Sequence, residues 1–86
     1  MNYQLIGENI KRHRIFKGKK QQVFAEEIGV SRIMMSRYEN GHTEIGLVRL
    51  SFIALKLGIS LSELLGEKLK EVHQYDIKEI TSTRCT

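Results

Sequence analysis

Two arginines, Arg32 and Arg37, stand five residues apart in VSRIMMSRYENG, residues 30–41, with two adjacent methionines between them. A guanidinium is a planar donor fork that can bond O6 and N7 of one guanine together, the commonest base-specific contact in a major groove. On a helical wheel at about 100° per residue, Arg32, Ile33, Ser36, Arg37 and Asn40 of residues 32–40 fall within an arc of about 140°. Met34, Met35 and Tyr38 occupy the opposite side, with Glu39 on its border. The methionines are therefore assigned with Tyr38 to the core, where an unbranched thioether fills irregular gaps. The arginines are assigned to the outward face. Ile33, one turn before Arg37, suits contact with a thymine methyl group. Ser31 stands where the N-cap of this helix belongs, and the free amides there favour a nearby phosphate. For an isolated helix, the same pattern equally describes a surface whose arginines are merely solvated.

The elements that must position this face are all helical. Apolar spacing predicts helices near residues 4–17, 21–28, 32–40, 47–57 and 61–65 or beyond. Gly18, Gly29, Gly41, Gly58 and Gly66 follow these runs and are read as left-handed C-caps. Leu47, Leu50, Ile53, Ala54 and Leu57 form one core stripe. Phe24, Ala25 and Ile28 are the buried set of the second helix, and Ile6 and Ile10 that of the first, where His13 takes the next stripe position. Ser60 and Glu63 spell a capping box, with Ile59 and Leu64 placed for a hydrophobic staple. The expected architecture is all-α: a compact five-helix domain over 1–66, followed by a C-terminal extension, 67–86. In that extension a helix is expected to about residue 74, then an arm or a disordered end.

Composition narrows the function classes. The 86 residues suffice for one domain, and the net charge is +4. Residues 1–43 carry eight Lys/Arg against four Asp/Glu, whereas 44–86 carry six of each, so the surplus lies wholly in the half with the two arginines. That suits a polyanion, since each neutralised phosphate releases counterions; the bland alternative is a solubility charge. Cys85 is the lone cysteine, which rules out an intrachain disulfide framework and a multi-cysteine metal site. His13, His42 and His73 have no convincing metal spacing. No apolar run is long enough to span a bilayer and no leader is evident, so a cytoplasmic protein with no membrane partner is expected. No Gly-rich phosphate loop or nucleophile–base constellation points to an enzyme, and no cofactor is expected.

In "IGENIKRHRIFKG", in Q-x-x-x-A-E-E-I-G-V-S over 21–31, in "SRYENG" over 36–41 and in "IGLVRLSFIALKLGISLSELL" over 45–65, the chain resembles the lambda-repressor-like helix-turn-helix group, the XRE family. The resemblance covers about residues 5–65. It implies a helix-turn-helix whose second helix reads bases of double-stranded DNA. Arg32, Ile33, Ser36 and Arg37 match base-facing positions, and Gln21 and Asn40 match positions that hold the phosphate backbone. Arg14 and Glu39 match a structural ion pair. A carboxylate at the edge of a buried side needs such a partner, so Glu39→Ala is expected to loosen the fold more than it alters base preference.

Three positions depart from the family pattern. His13 replaces a core leucine; a lone histidine there is read as a packed core residue rather than a ligand. Lys19 replaces an apolar residue, and Lys20 a Ser or Thr cap. Both lysines are candidates for phosphate contact along with Ser31, or for a solvated loop. Val48, Phe52 and Leu55 lie at i, i+4 and i+7 away from the core stripe, where the family has polar residues. This apolar stripe is read as a homodimer interface, with cover by the C-terminal segment as the alternative. The leading expectation is a homodimeric repressor of a palindromic operator. The alternative is an antitoxin or adaptor whose tail or apolar helix binds a protein partner.

Overall fold

The structure is a computed structural model and describes residues 2–66. The helix continuation and arm expected within 67–86 lie outside the described residues.

Five helices follow one another: α1 (Tyr3–Phe16), α2 (Gln21–Ile28), α3 (Arg32–Glu39), α4 (Leu47–Leu57) and α5 (Leu61–Leu65). Local chemistry sets their ends. Asn2 caps α1 by accepting from the Leu5 amide at 3.0 Å, and Ser60 and Glu63 close the capping box of α5. Gly58 ends α4 in the left-handed conformation, φ 72° and ψ 29°, which costs a side-chain-bearing residue about 1–2 kcal/mol. Gly66 differs from the expected left-handed cap: its φ of 104° with ψ −163° is a positive-φ conformation outside the left-handed helical region, one that only glycine adopts readily. There the chain passes beside Leu5 and Asn9 of α1.

Helix α1 packs on α3 and α5, α2 on α3 and α4, and α4 on α5. Their shared core holds Ile6, Ile10, Phe24, Ala25, Ile28, Met35, Leu50, Ile53, Leu57 and Leu64, all fully buried. Each large aliphatic side chain there contributes about 1.5–3 kcal/mol relative to exposure. Ile45, in the loop before α4, is buried with them although it belongs to no helical stripe.

Four core expectations are corrected. Leu47 is 57% exposed, because as the first residue of α4 its side chain leans back beyond the edge of the core. Met34 is exposed while Met35, Tyr38 and Glu39 are buried. The inward face of α3 is centred on Met35, and Met34 stands about 90° from that centre. Glu39 is inside that face rather than at its border. His13 is only half-buried, since α1 sends Arg14 inward, four residues after Ile10 and seven after Gly7.

Candidate nucleic-acid interface

Helix α2 closes on Gly29, whose φ of 78° and ψ of 30° reverse the chain within two residues. The Ser31 hydroxyl then accepts from the Met34 amide at 3.0 Å and starts α3. Only Val30 and Ser31 separate that glycine from the next helix, so α2 and α3 pack against each other with their outer faces adjoining. On the outer face, Arg32, Arg37 and Asn40 are exposed and Ile33 is 76% exposed, with Ser36 half-buried between them. Gln21, at the start of α2, joins Arg32, Ile33 and Ser36 in lining an open depression of about 230 Å³.

The polar groups of this face are held from behind. Arg14 reaches under α3, where its Nε donates to Glu39 Oε2 at 2.6 Å and its Nη2 to Oε1 at 3.2 Å. Its Nη1 donates to the Lys19 carbonyl at 2.7 Å. Gln21 Nε2 donates to the same Glu39 Oε1 at 3.0 Å, and Gln21 Oε1 accepts from Arg32 Nε at 3.4 Å. Asn40 folds back on its own helix, donating to the Ser36 carbonyl at 2.9 Å. Arg37 Nη2 touches the His42 carbonyl at 3.5 Å and otherwise points outward. The buried pair cancels its own charge, so the positive potential of the face comes from Arg32, Arg37 and the lysines.

Those lysines are unequal. Lys19 Nζ lies 2.7 Å from Glu27 Oε1 and 5.7 Å above the Phe24 ring, so its charge is already matched. Lys20 is exposed at the N-cap of α2, makes no capping bond and has no ion-pair partner among the described residues. The Val48, Phe52, Leu55 stripe lies on α4, with Val48 86% and Leu55 72% exposed and Phe52 39% exposed under Lys56.

Sequence reasoning missed two residues that shape the site, Gly7 and Asn9, and one bond of a third, Gln21. Gly7 lets α1 cross the end of α3, since a Cβ there would stand 2.7 Å from the Glu39 carbonyl oxygen. Asn9 is buried and donates to the Leu64 carbonyl at 3.0 Å, tying α5 to α1. Gln21 was read only as a phosphate contact. Gly7 and Asn9 both lie between the core residues Ile6 and Ile10, but nothing local says what they approach.

Two helices joined by a tight glycine turn, the second presenting an arginine-bearing face, define a helix-turn-helix DNA-binding domain. The family model described as helix-turn-helix matches residues 10–64. The chain belongs to this lambda-repressor-like, XRE-type family of helix-turn-helix DNA-binding domains. It is 35% identical over 75 residues to antitoxin PezA of Streptococcus pneumoniae, an alignment covering 85% of this chain and 48% of that protein. The chain thus matches about half the length of that relative. Control protein C.MunI of a Mycoplasma species is 39% identical over 67 residues, 77% of this chain and 90% of that one. Among solved structures, the restriction-modification controller protein C.AhdI from Aeromonas hydrophila superposes with a TM-score of 0.68 at 27% identity, covering 72% of this chain and 94% of that chain.

Proposed function

We propose that the protein is a cytoplasmic repressor that binds a palindromic operator as a homodimer, with α3 of each copy in the major groove. The observation that carries this reading is the outer face of α3. Arg32, Ile33 and Arg37 stand exposed, with Ser36 half-buried between them, on one side of a helix whose other side, Met35 with Tyr38 and Glu39, is fixed in the core. Arg32 and Arg37 read guanine edges, Ile33 meets a thymine methyl and Ser36 bonds a base edge. Lys20, Gln21, Ser31 and Asn40 hold phosphates on either side, and Lys19 joins them only by leaving Glu27. The Val48, Phe52, Leu55 stripe pairs two copies, because one helix reads too few bases and two-fold symmetry matches half-sites about one turn apart. Residues 1–66 are the DNA-binding unit in this reading.

The test is fluorescence anisotropy of labelled duplex from the gene's own upstream region, with scrambled competitor and a salt series, for wild type and Arg37→Ala. Competitor-resistant binding that weakens with salt and loses sequence preference in Arg37→Ala supports the reading. Weak binding, identical in both proteins and erased by competitor, overturns it.

The similarity to antitoxin PezA favours a second reading, in which the chain or its C-terminal segment also neutralises a protein partner. Co-purification of a second chain encoded beside this one supports that reading, and a protein that purifies alone from its native operon removes it.

A further inference from the structure

We infer that Arg49 is a positioning residue that braces the helix-turn-helix against α4, so that it sets the spacing between the two half-sites a dimer reads. This rests on the proposed homodimer through the Val48, Phe52, Leu55 stripe. Arg49 is half-buried, and its Nη1 donates to the Ile28 carbonyl at 2.7 Å. Ile28 is the last residue of α2, and Gly29, Val30 and Ser31 lead from it into α3. The amides of Gly29 and Val30 go to the Glu26 and Ala25 carbonyls, so the Ile28 carbonyl has no backbone donor among the described residues. Helix α2 also carries no basic residue in its last turn. The cation that meets its negative end therefore comes from α4.

Among the described residues, this is the one hydrogen bond that joins α4 to another helix. Otherwise α4 is held by burial of Leu50, Ile53, Ala54 and Leu57, which is non-directional. A bond from a charged donor adds a preferred length and angle. Arg49 follows Val48 and stands three residues before Phe52, so it borders the stripe. One flank of α4 thus grips the turn of the helix-turn-helix, while the next is offered to a second copy. Helix α3 packs on α1 and α2, so its tilt relative to a dimer axis beside α4 passes through this joint. Inserting one base pair between half-sites moves the second by about 3.4 Å and turns it by about 35°. A braced dimer cannot follow that change, whereas a loosened one follows it in part.

The experiment starts from an operator selected by the wild-type protein out of a randomised duplex library. Affinities are then measured for that duplex, for versions with one base pair added or removed between the half-sites, and for a single half-site. The proteins are wild type, Arg49→Met, which keeps the apolar stem, and Arg49→Lys, each first checked by sedimentation and melting curve. The inference expects Arg49→Met to remain dimeric and to bind the single half-site within about twofold of wild type. Its preference for the selected spacing should narrow by about tenfold, the worth of one bond to a charged group. Arg49→Lys, which keeps a charged donor, should recover part of that preference. Arg49→Gln, whose amide ends two bonds short of Nη1, replaces Arg49→Met under the same expectation if the latter folds poorly. Spacing preference unchanged in Arg49→Met overturns the inference, because apolar packing alone then sets the joint. Affinity that falls equally on all duplexes, with a lowered melting temperature, also overturns it and leaves Arg49 a purely structural residue. A wild type that is monomeric, or indifferent to spacing, overturns the two-fold reading first and the inference with it.

Discussion

The guanidinium of Arg14 and the carboxylate of Glu39 meet in a two-point contact beneath the outer face of α3, with side chains only 9% and 3% exposed. Neither charge has water as an alternative partner. Removing one member leaves the other buried and uncompensated, which costs about 3–5 kcal/mol. Against a total stability of about 5–15 kcal/mol for a domain of this kind, that is a large fraction. Glu39→Ala should therefore lower the thermal midpoint by upwards of about 10 °C, using the usual shift of about 4–8 °C per kcal/mol at this size. Arg14→Lys should fall in between, since a lysine keeps the charge and loses the fork. A midpoint within two or three degrees of wild type in Glu39→Ala would mean that water reaches the pair, at odds with its burial.

Gly7 gives a second stability prediction in which two effects oppose. Alanine in a helix interior gains about 1 kcal/mol over glycine. Here, however, the new Cβ would meet the Glu39 carbonyl oxygen at 2.7 Å and its carbonyl carbon at 2.9 Å. Both are backbone atoms and cannot rotate away, so α1 must shift, and overpacking of this kind costs about 1–3 kcal/mol. The shift also pulls Arg14 from Glu39. Gly7→Ala should lower the urea midpoint with the m-value unchanged. A raised midpoint would show that helix propensity outweighs the contact and that α1 and α3 have room to part.

Gly7 also marks where sequence reading reached its limit. The helices of the core were legible because apolar spacing, glycine stops and the Ser60–Glu63 box agree locally on the same boundaries. The outer face of α3 was legible for the same reason, a wheel being a local construction. Met34 and Leu47 were misplaced because a wheel gives an angle about one axis, and burial depends on where a neighbour lies along that axis. Gly7, Asn9 and Ile45 owe their roles to elements far away in the chain: the end of α3, the Leu64 carbonyl and the gap before α4. The Gln21–Glu39 bond joins residues eighteen apart and carries no periodic signature.

Lys19 and Lys20 are adjacent and equally charged, yet the structure predicts different behaviour toward DNA. Each phosphate-neutralising cation adds about 0.9 to the slope of log affinity against log salt concentration. Lys20 is exposed and unmatched among the described residues, so Lys20→Ala should weaken binding uniformly across sequences and flatten that slope by about this amount. Lys19 Nζ is held at 2.7 Å by Glu27, so Lys19→Ala should change the slope far less. The comparison is anisotropy at four or five salt concentrations on one duplex. Equal slope changes for the two variants would show that Lys19 abandons Glu27 on binding.

The α4 stripe allows association to be separated from folding. Its inward residues, Leu50, Ile53, Ala54 and Leu57, are buried in the core, while Val48 at 86% and Leu55 at 72% exposure stand outside the core of the described residues. Phe52, at 39%, lies between them with Lys56 Nζ 5.4 Å over its ring. A carboxylate placed at 52 remains at the surface, so it should cost the monomer little; ordinary surface changes stay within about 0.5 kcal/mol. In an interface between two copies, the same carboxylate would be desolvated against apolar side chains and against its symmetry mate. Phe52→Glu should therefore sediment as a monomer with a nearly wild-type melting curve. Its operator affinity should drop by about 10²–10⁴, the factor lost when a second recognition helix is no longer tethered at high effective concentration. A Phe52→Glu protein that still sediments as a dimer would place the interface elsewhere and leave the stripe to a different partner. A protein that is monomeric at every concentration in both forms would remove two-fold operator reading, while leaving single-site recognition by α3 intact.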